Sequence, residues 1–174
     1  MLTLVLGGAR SGKSRYAQGL IGDRPAVYVA TARRNIDGEM TQRIERHRQD
    51  RPAAWVTVEE PEAVAHAVRT AAPLDAPVIV DCITVWLANL LERESSTPEH
   101  EQQEVMLAAV RDLAAAGGDR EVVVVSNEVG SGIVPMTPLG RRFRDLQGRA
   151  NQALAAEADS VVLVVAGLPL VLKP

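Results

Sequence analysis

Leu2-Thr3-Leu4-Val5-Leu6-Gly7-Gly8-Ala9-Arg10-Ser11-Gly12-Lys13-Ser14 decides the fold of this 174-residue chain. An apolar run of strand length enters a glycine turn, and Lys13 to Ile21 follows directly with a helical pattern. The eight residues Gly7, Gly8, Ala9, Arg10, Ser11, Gly12, Lys13 and Ser14 fit G-x-x-x-x-G-K-[ST], a loop that cradles nucleotide phosphates. Its glycines let backbone N–H groups curl around phosphate oxygens, and the helix N-terminus adds a favourable dipole. In such a loop Lys13 reaches the β and γ phosphates, and the Ser14 hydroxyl is expected to hold magnesium.

Working outward, short apolar and β-branched runs recur at Ala26 to Ala30, Val78 to Asp81, Val122 to Ser126 and Val161 to Ala166. They are continuous rather than alternating, so both faces of each strand must be covered, which is the pattern of a parallel sheet between helices. Helices are predicted over Asp37 to Gln49, with Met40, Ile44 and His47 on one face, and over Pro61 to Ala71 and Ile83 to Arg93. Thr97-Pro98 reads as an N-cap and a first-position proline for a helix running to about Ala115. Thr137-Pro138 repeats the signal before Leu139, Phe143, Leu146, Ala150 and Leu154 at helical spacing. Val161 to Leu172, broken at Gly167-Leu168-Pro169, reads as two strands joined by a turn, the last pairing antiparallel. The fold class expected is α/β, a P-loop (RecA-like) three-layer α/β/α arrangement with a mostly parallel sheet and an antiparallel C-terminal strand. No repeat, low-complexity tract or linker divides residues 1–174, so one nucleotide-binding domain is expected.

Composition narrows the function. Hydrophobic residues make up 47% of the chain but aromatics only 3%, so the core must be built from Val, Leu, Ile and Ala. A net charge of -3, with no basic block, argues against a nucleic-acid partner. Cys82 is the only cysteine, which excludes an internal disulfide and a Cys-based zinc cluster, and fits a reducing, cytoplasmic setting. The apolar N-terminus is too short for a signal peptide, and no run of about 18 uncharged apolar residues predicts a membrane span.

Two further features bear on chemistry. Val78-Ile79-Val80-Asp81 ends an apolar strand in a carboxylate, so Asp81 is the second candidate for magnesium, with the capping of the following helix as the plainer reading. Arg43-Ile44-Glu45-Arg46-His47-Arg48-Gln49-Asp50-Arg51-Pro52 surrounds one histidine with arginines. Neighbouring cations favour the neutral imidazole that a nucleophile attacking phosphorus requires, and they offset charge on that phosphate. The loop specifies phosphate binding rather than a reaction, so a small-molecule kinase, a motor and a nucleotide-controlled switch all remain open on these residues. A packed or solvated helix is the plainer reading of the histidine segment.

Taken with Tyr28-Val29-Ala30-Thr31-Ala32, Met40, Trp55, Asp81-Cys82-Ile83-Thr84, Asn89-Leu90-Leu91, Ser126-Asn127-Glu128-Val129-Gly130, Gly132-Ile133-Val134-Pro135, Phe143-Arg144-Asp145, Gly148-Arg149 and Asn151-Gln152, these motifs span nearly the whole chain. In them the sequence resembles the bifunctional adenosylcobinamide kinase / adenosylcobinamide-phosphate guanylyltransferase family of cobalamin biosynthesis. The resemblance implies two steps. Adenosylcobinamide takes the γ-phosphoryl group of ATP or GTP, with Lys13 and magnesium (Mg2+) stabilising the transferring charge. His47 then attacks the α-phosphorus of GTP, and adenosylcobinamide phosphate displaces the guanylylated histidine to give adenosylcobinamide-GDP. It further implies nucleotide contacts at Thr31, Ala32, Arg33, Arg48, Gln49, Asp50, Arg51, Glu59 and Asp81, catalytic roles for His47 and Lys13, and a homotrimer. Arg46 stands where some relatives have a second histidine, which leaves His47 as the guanylylation site; His66 and His100 have no motif support. Asn127-Glu128-Val129-Gly130 is expected to meet substrate or phosphate, while Trp55 and Trp86 read as core or subunit-contact residues.

Overall fold

A computed structural model describes residues 1–33 and 51–174. Seven strands form one sheet in the order β3-β2-β4-β5-β1-β6-β7. They are β1 (Leu2–Gly7), β2 (Ala26–Ala30), β3 (Trp55–Glu59), β4 (Val78–Asp81), β5 (Val122–Asn127), β6 (Ser160–Val165) and β7 (Leu168–Lys173). All neighbouring pairs are parallel except β6 with β7. Among the described residues the helices are α1 (Lys13–Ile21), α2 (Val64–Thr70), α3 (Ile83–Arg93), α4 (Glu99–Ala115) and α5 (Pro138–Glu157). The helix expected over Asp37 to Gln49 lies outside the described residues, as does His47.

Side chains of successive strand residues fall on opposite faces, and the core accordingly divides in two. Leu4, Leu6, Val29, Val80 and Val124 pack with Val68, Leu87, Val110 and Leu154 of α2 to α5. Val5, Tyr28, Ile79, Val123 and Val162 pack on the other face with Ala17 and Ile21 of α1. Helices on both faces of a mostly parallel sheet give the expected three layers. The near absence of aromatics is met by β-branched residues that fill the pleats. Trp55 and Trp86, the large exceptions, are both buried, and their indole N–H groups donate to the Arg24 and Glu62 carbonyls.

Three sequence expectations change. β3 was not predicted: Trp55-Val56-Thr57-Val58-Glu59 is an edge strand with mixed burial, so it lacks the continuous apolar run used to find the others, although its β-branched residues carry a strand signal. The last turn falls at Ala166 and Gly167, with φ of 52° and 81°, and not at Gly167-Leu168-Pro169. Pro169 lies inside β7, which an edge strand tolerates because one side of its backbone needs no partner. Finally, Thr97 does not cap α4: its hydroxyl and amide both bond Glu94 in the tight link from α3, and the helix begins after Pro98. Thr137 does cap α5, accepting a hydrogen bond from the Gly140 amide at 3.1 Å, with Pro138 in the first turn.

Candidate functional site

The phosphate loop leaves the C-terminal end of β1 and runs into α1. Two of its glycines are obligatory for different reasons. At Gly7 a Cβ would collide with the Ser11 side chain and lie 2.8 Å from the Val164 carbonyl oxygen, so only glycine lets the loop fold back on itself. Gly12 has φ of 96°, in the left-handed region, and its Cβ position is 3.2 Å from Gly167 Cα. The loop is therefore seated on the β6–β7 turn, an attachment completed by the Gly167 amide donating to the Ser11 carbonyl at 2.8 Å. Arg10 also adopts a positive φ of 58°, a strained position for a residue with a Cβ.

Lys13 is buried, and its ammonium donates to the Gly8 carbonyl at 3.2 Å, which curls the side chain back over the loop. Ser14, one residue on, opens the first turn of α1. That helix packs against β1, β4, β5 and β6, so it reaches across the sheet toward Asp81 even though β5 separates β4 from β1. The electrostatics agree. Burial and then the Asp81 charge push the Cys82 thiol up to about 11, while the Lys13 charge pulls it down, so loop lysine and strand carboxylate act on the same sulfur. Cys82 is half-buried and its thiol stays protonated at neutral pH.

Asp81 ends β4 level with Ala30 of β2 and Val125 of β5. Its Oδ2 accepts a 2.7 Å hydrogen bond from the Tyr28 hydroxyl. Burial, followed by the Asp81 charge, raises the Tyr28 phenol well above its usual range, so the phenol is the donor and the carboxylate the acceptor. Arg51 lies over the same ring, its guanidinium carbon 3.6 Å from the centroid, and donates to Thr57 Oγ1 at 2.9 Å.

The remaining expected residues separate by position. Thr31 is wholly buried, with its hydroxyl donating to the Cys82 carbonyl and accepting from the Cys82 amide, so its side chain ties β2 to the turn after β4. Asn89 reinforces that tie by donating to the Thr31 and Pro61 carbonyls. Ala32 and Arg33 follow at the same end of the sheet, and the Arg33 guanidinium pairs with Glu62 at 3.0 Å and Glu92 at 2.6 Å. Glu59 ends β3 beside Ala30. Arg48, Gln49 and Asp50 lie outside the described residues with His47.

At the end of β5, the Glu128 amide donates to the Gly7 carbonyl, and Asn127 donates to Thr84 Oγ1 from both its amide, at 3.1 Å, and its side-chain nitrogen, at 2.9 Å. Beneath it, Ser126, Gln147 and Asn151 form a buried hydrogen-bonded cluster that fastens β5 to α5. The sequence did not single out Tyr28, Thr84 or Gln147 for a role, although a phenol in an otherwise apolar strand is a signal, because its hydroxyl must find a partner when buried. The candidate metal donors, the Ser14 hydroxyl and the Asp81 carboxylate, are hard oxygen groups of the kind magnesium takes alongside nucleotide phosphates and water. Among the described residues no group of three or more His, Cys, Asp or Glu side chains could form a metal cage.

Residues 3–172 match the family described as cobinamide kinase / cobinamide phosphate guanyltransferase. The chain belongs to that family. It is 42% identical over 175 residues to the bifunctional adenosylcobalamin biosynthesis protein CobP of Pseudomonas aeruginosa, covering 99% of this chain and 98% of that one. Proteins named CobU, also described as bifunctional adenosylcobalamin biosynthesis proteins, are 42% identical in Escherichia coli and 43% in Salmonella typhimurium, each over 99% of this chain and 100% of its own length. As a member of this transferase family the chain carries a nucleotide-binding loop between β1 and α1. The P4 protein of bacteriophage phi6, in complex with ADP, shares the fold with a TM-score of 0.50 at 15% identity, covering 97% of this chain and 53% of that one. No helix among the described residues is long and apolar enough to cross a membrane.

Proposed function

We propose that this chain carries out both reactions in its family's name: it phosphorylates adenosylcobinamide from ATP or GTP, then transfers GMP from GTP to adenosylcobinamide phosphate. The observation that carries this reading is the loop from Gly7 to Ser14, seated on the β6–β7 turn with Lys13 curled over it, in a chain that matches the family along nearly its whole length.

In the kinase step the backbone amides of the loop and the Lys13 ammonium hold the outer phosphates and stabilise negative charge on the transferring group. The substrate hydroxyl attacks the γ-phosphorus, its proton is lost, and the β–γ bridging oxygen leaves with the nucleoside diphosphate. Ser14 and Asp81 would hold magnesium, which neutralises phosphate charge when bound. In the second step the neutral His47 imidazole attacks the α-phosphorus of GTP: an N–P bond forms and pyrophosphate leaves. A phosphate oxygen of adenosylcobinamide phosphate then attacks the same phosphorus, breaking the N–P bond and releasing His47. Splitting one displacement into two gives each step a good leaving group. Nucleotide contacts at Thr31, Ala32, Arg33, Arg48, Gln49, Asp50, Arg51, Glu59 and Asp81 belong to the same reading, as do a single domain over residues 1–174 and a homotrimer.

GTP labelled at the α-phosphate is expected to leave an acid-labile, base-stable adduct on the protein, absent in His47→Ala. Label on His47→Ala would remove His47 from the mechanism. The same variant should keep cobinamide phosphorylation, whereas Lys13→Ala should depress both steps by at least about a hundredfold. A simple kinase predicts no protein label at all; a nucleotide-controlled switch predicts binding without turnover of any cobinamide.

A further inference from the structure

The strand β2 carries one polar side chain among apolar ones, Tyr28, and its hydroxyl is spent on Asp81. The ring is buried, held by Arg51 at 3.6 Å on its face and by the Trp55 ring with centroids 6.3 Å apart and planes 29° from parallel. Arg51 is in turn fixed by its bond to Thr57 of β3. Arg51 and the strand β3 thus determine where one phenolic O–H lies, and that O–H meets Oδ2 of the carboxylate at the end of β4 at 2.7 Å.

A carboxylate at a strand end can rotate about its terminal bond. Pinning one oxygen with a buried, protonated phenol fixes the plane of the group and leaves Oδ1 as its other acceptor. The phenol serves here as a hydrogen-bond donor, so it orients the carboxylate through the O–H···Oδ2 contact. This is the arrangement by which an outer hydrogen bond aims a metal-binding group.

We propose that Tyr28 is a positioning residue for the metal–nucleotide site: through its O–H it orients Asp81 toward the magnesium that accompanies the nucleotide, with Arg51 and Trp55 holding the ring. The inference rests on the reading of Asp81 given above. In this role Tyr28 acts through Asp81 and is not itself a catalytic residue.

Tyr28→Phe removes the hydroxyl and keeps the ring that Arg51 and Trp55 contact. Two titrations with magnesium chloride test it: cobinamide phosphorylation, and binding of a fluorescent guanine nucleotide. The variant is expected to need at least about tenfold more magnesium for half-saturation in both, the lower end of what one lost hydrogen bond to a charged group costs. Nucleotide affinity in EDTA should match the parent. An unchanged magnesium requirement overturns the proposal, and so does an equal loss of affinity with and without magnesium, which marks a purely structural residue. Asp81→Asn in the same titrations separates the two layers. If it also leaves the magnesium requirement unchanged, the reading of Asp81 fails; if it raises the requirement and Tyr28→Phe does not, the Tyr28 proposal alone fails. Should Tyr28→Phe fold poorly, 3-fluorotyrosine incorporated into a Tyr16→Phe protein leaves the Tyr28 hydroxyl in place. Its fluorine resonance should then shift when magnesium is added to the nucleotide complex, and a resonance that does not move overturns the proposal.

Discussion

Gly12 shows how a single residue can serve two constraints at once. Its φ of 96° is costly for any residue with a Cβ, and the Cβ would lie 3.2 Å from Gly167 Cα across the β6–β7 turn. Neither neighbour is a flexible side chain end that could give way. Gly12→Ala is therefore expected to cost about 1–3 kcal/mol of stability and to weaken nucleotide binding at least tenfold, measured by thermal unfolding and by nucleotide titration. A variant with unchanged affinity would show that the loop does not need this backbone shape. Asp81 raises a similar point: the sequence shows a strand ending in a carboxylate, but only the fold shows that Tyr28 of the neighbouring strand donates to it.

Helix α3 illustrates how an element carries the site from beneath. Ile83, Trp86, Leu87 and Leu90 are buried at helical spacing against the sheet, and Asn89 on the same helix holds the backbone at Thr31 and Pro61. Thr84, at its start, anchors Asn127 at the end of β5. The apolar face thus supplies the stability, and two polar side chains use it to fix the ends of β2 and β5. Leu87→Ala removes a fully buried side chain and is expected to cost about 2–5 kcal/mol in chemical denaturation, with a lower midpoint and an unchanged slope. A cost below about 1 kcal/mol would mean that the helix does not depend on this contact.

At the scale of the whole molecule, the sheet edge formed by β7 stands out among the described residues. β7 is exposed along its full length, and Leu168, Leu170, Val171 and Leu172 are each more than half accessible. An apolar edge strand of this kind is a surface that another chain would cover, or that would drive aggregation if left bare. Its partner strand β6 ends in the turn that supports the phosphate loop, so whatever covers β7 lies close in structure to the nucleotide site. The homotrimer reading predicts a solution mass of three times 18.7 kDa by light scattering. Leu170→Asp is expected to lower that mass, and a monomeric parent protein would end the trimer reading.

The sequence by itself determined the local grammar: the loop from Gly7 to Ser14, the continuous apolar strands that demand cover on both faces, and the Thr137-Pro138 start of α5. These features are legible because each rests on the chemistry of adjacent residues, whether backbone freedom at glycine, hydrophobic period, or a hydroxyl near free amides. The motifs spread along the chain made the family legible as well, and residues 3–172 match it. Tertiary structure alone decided what depends on residues distant in the chain. It paired the edge strand β3, whose short mixed run is stabilised only by lying beside β2, and it moved Thr97 from helix cap to turn because Glu94 competes for its hydroxyl. It also brought Tyr28 to Asp81, with Arg51 and Trp55 against the Tyr28 ring. A hydrogen bond between strands separated by dozens of residues has no local signature; it exists only once the sheet order puts donor and acceptor side by side.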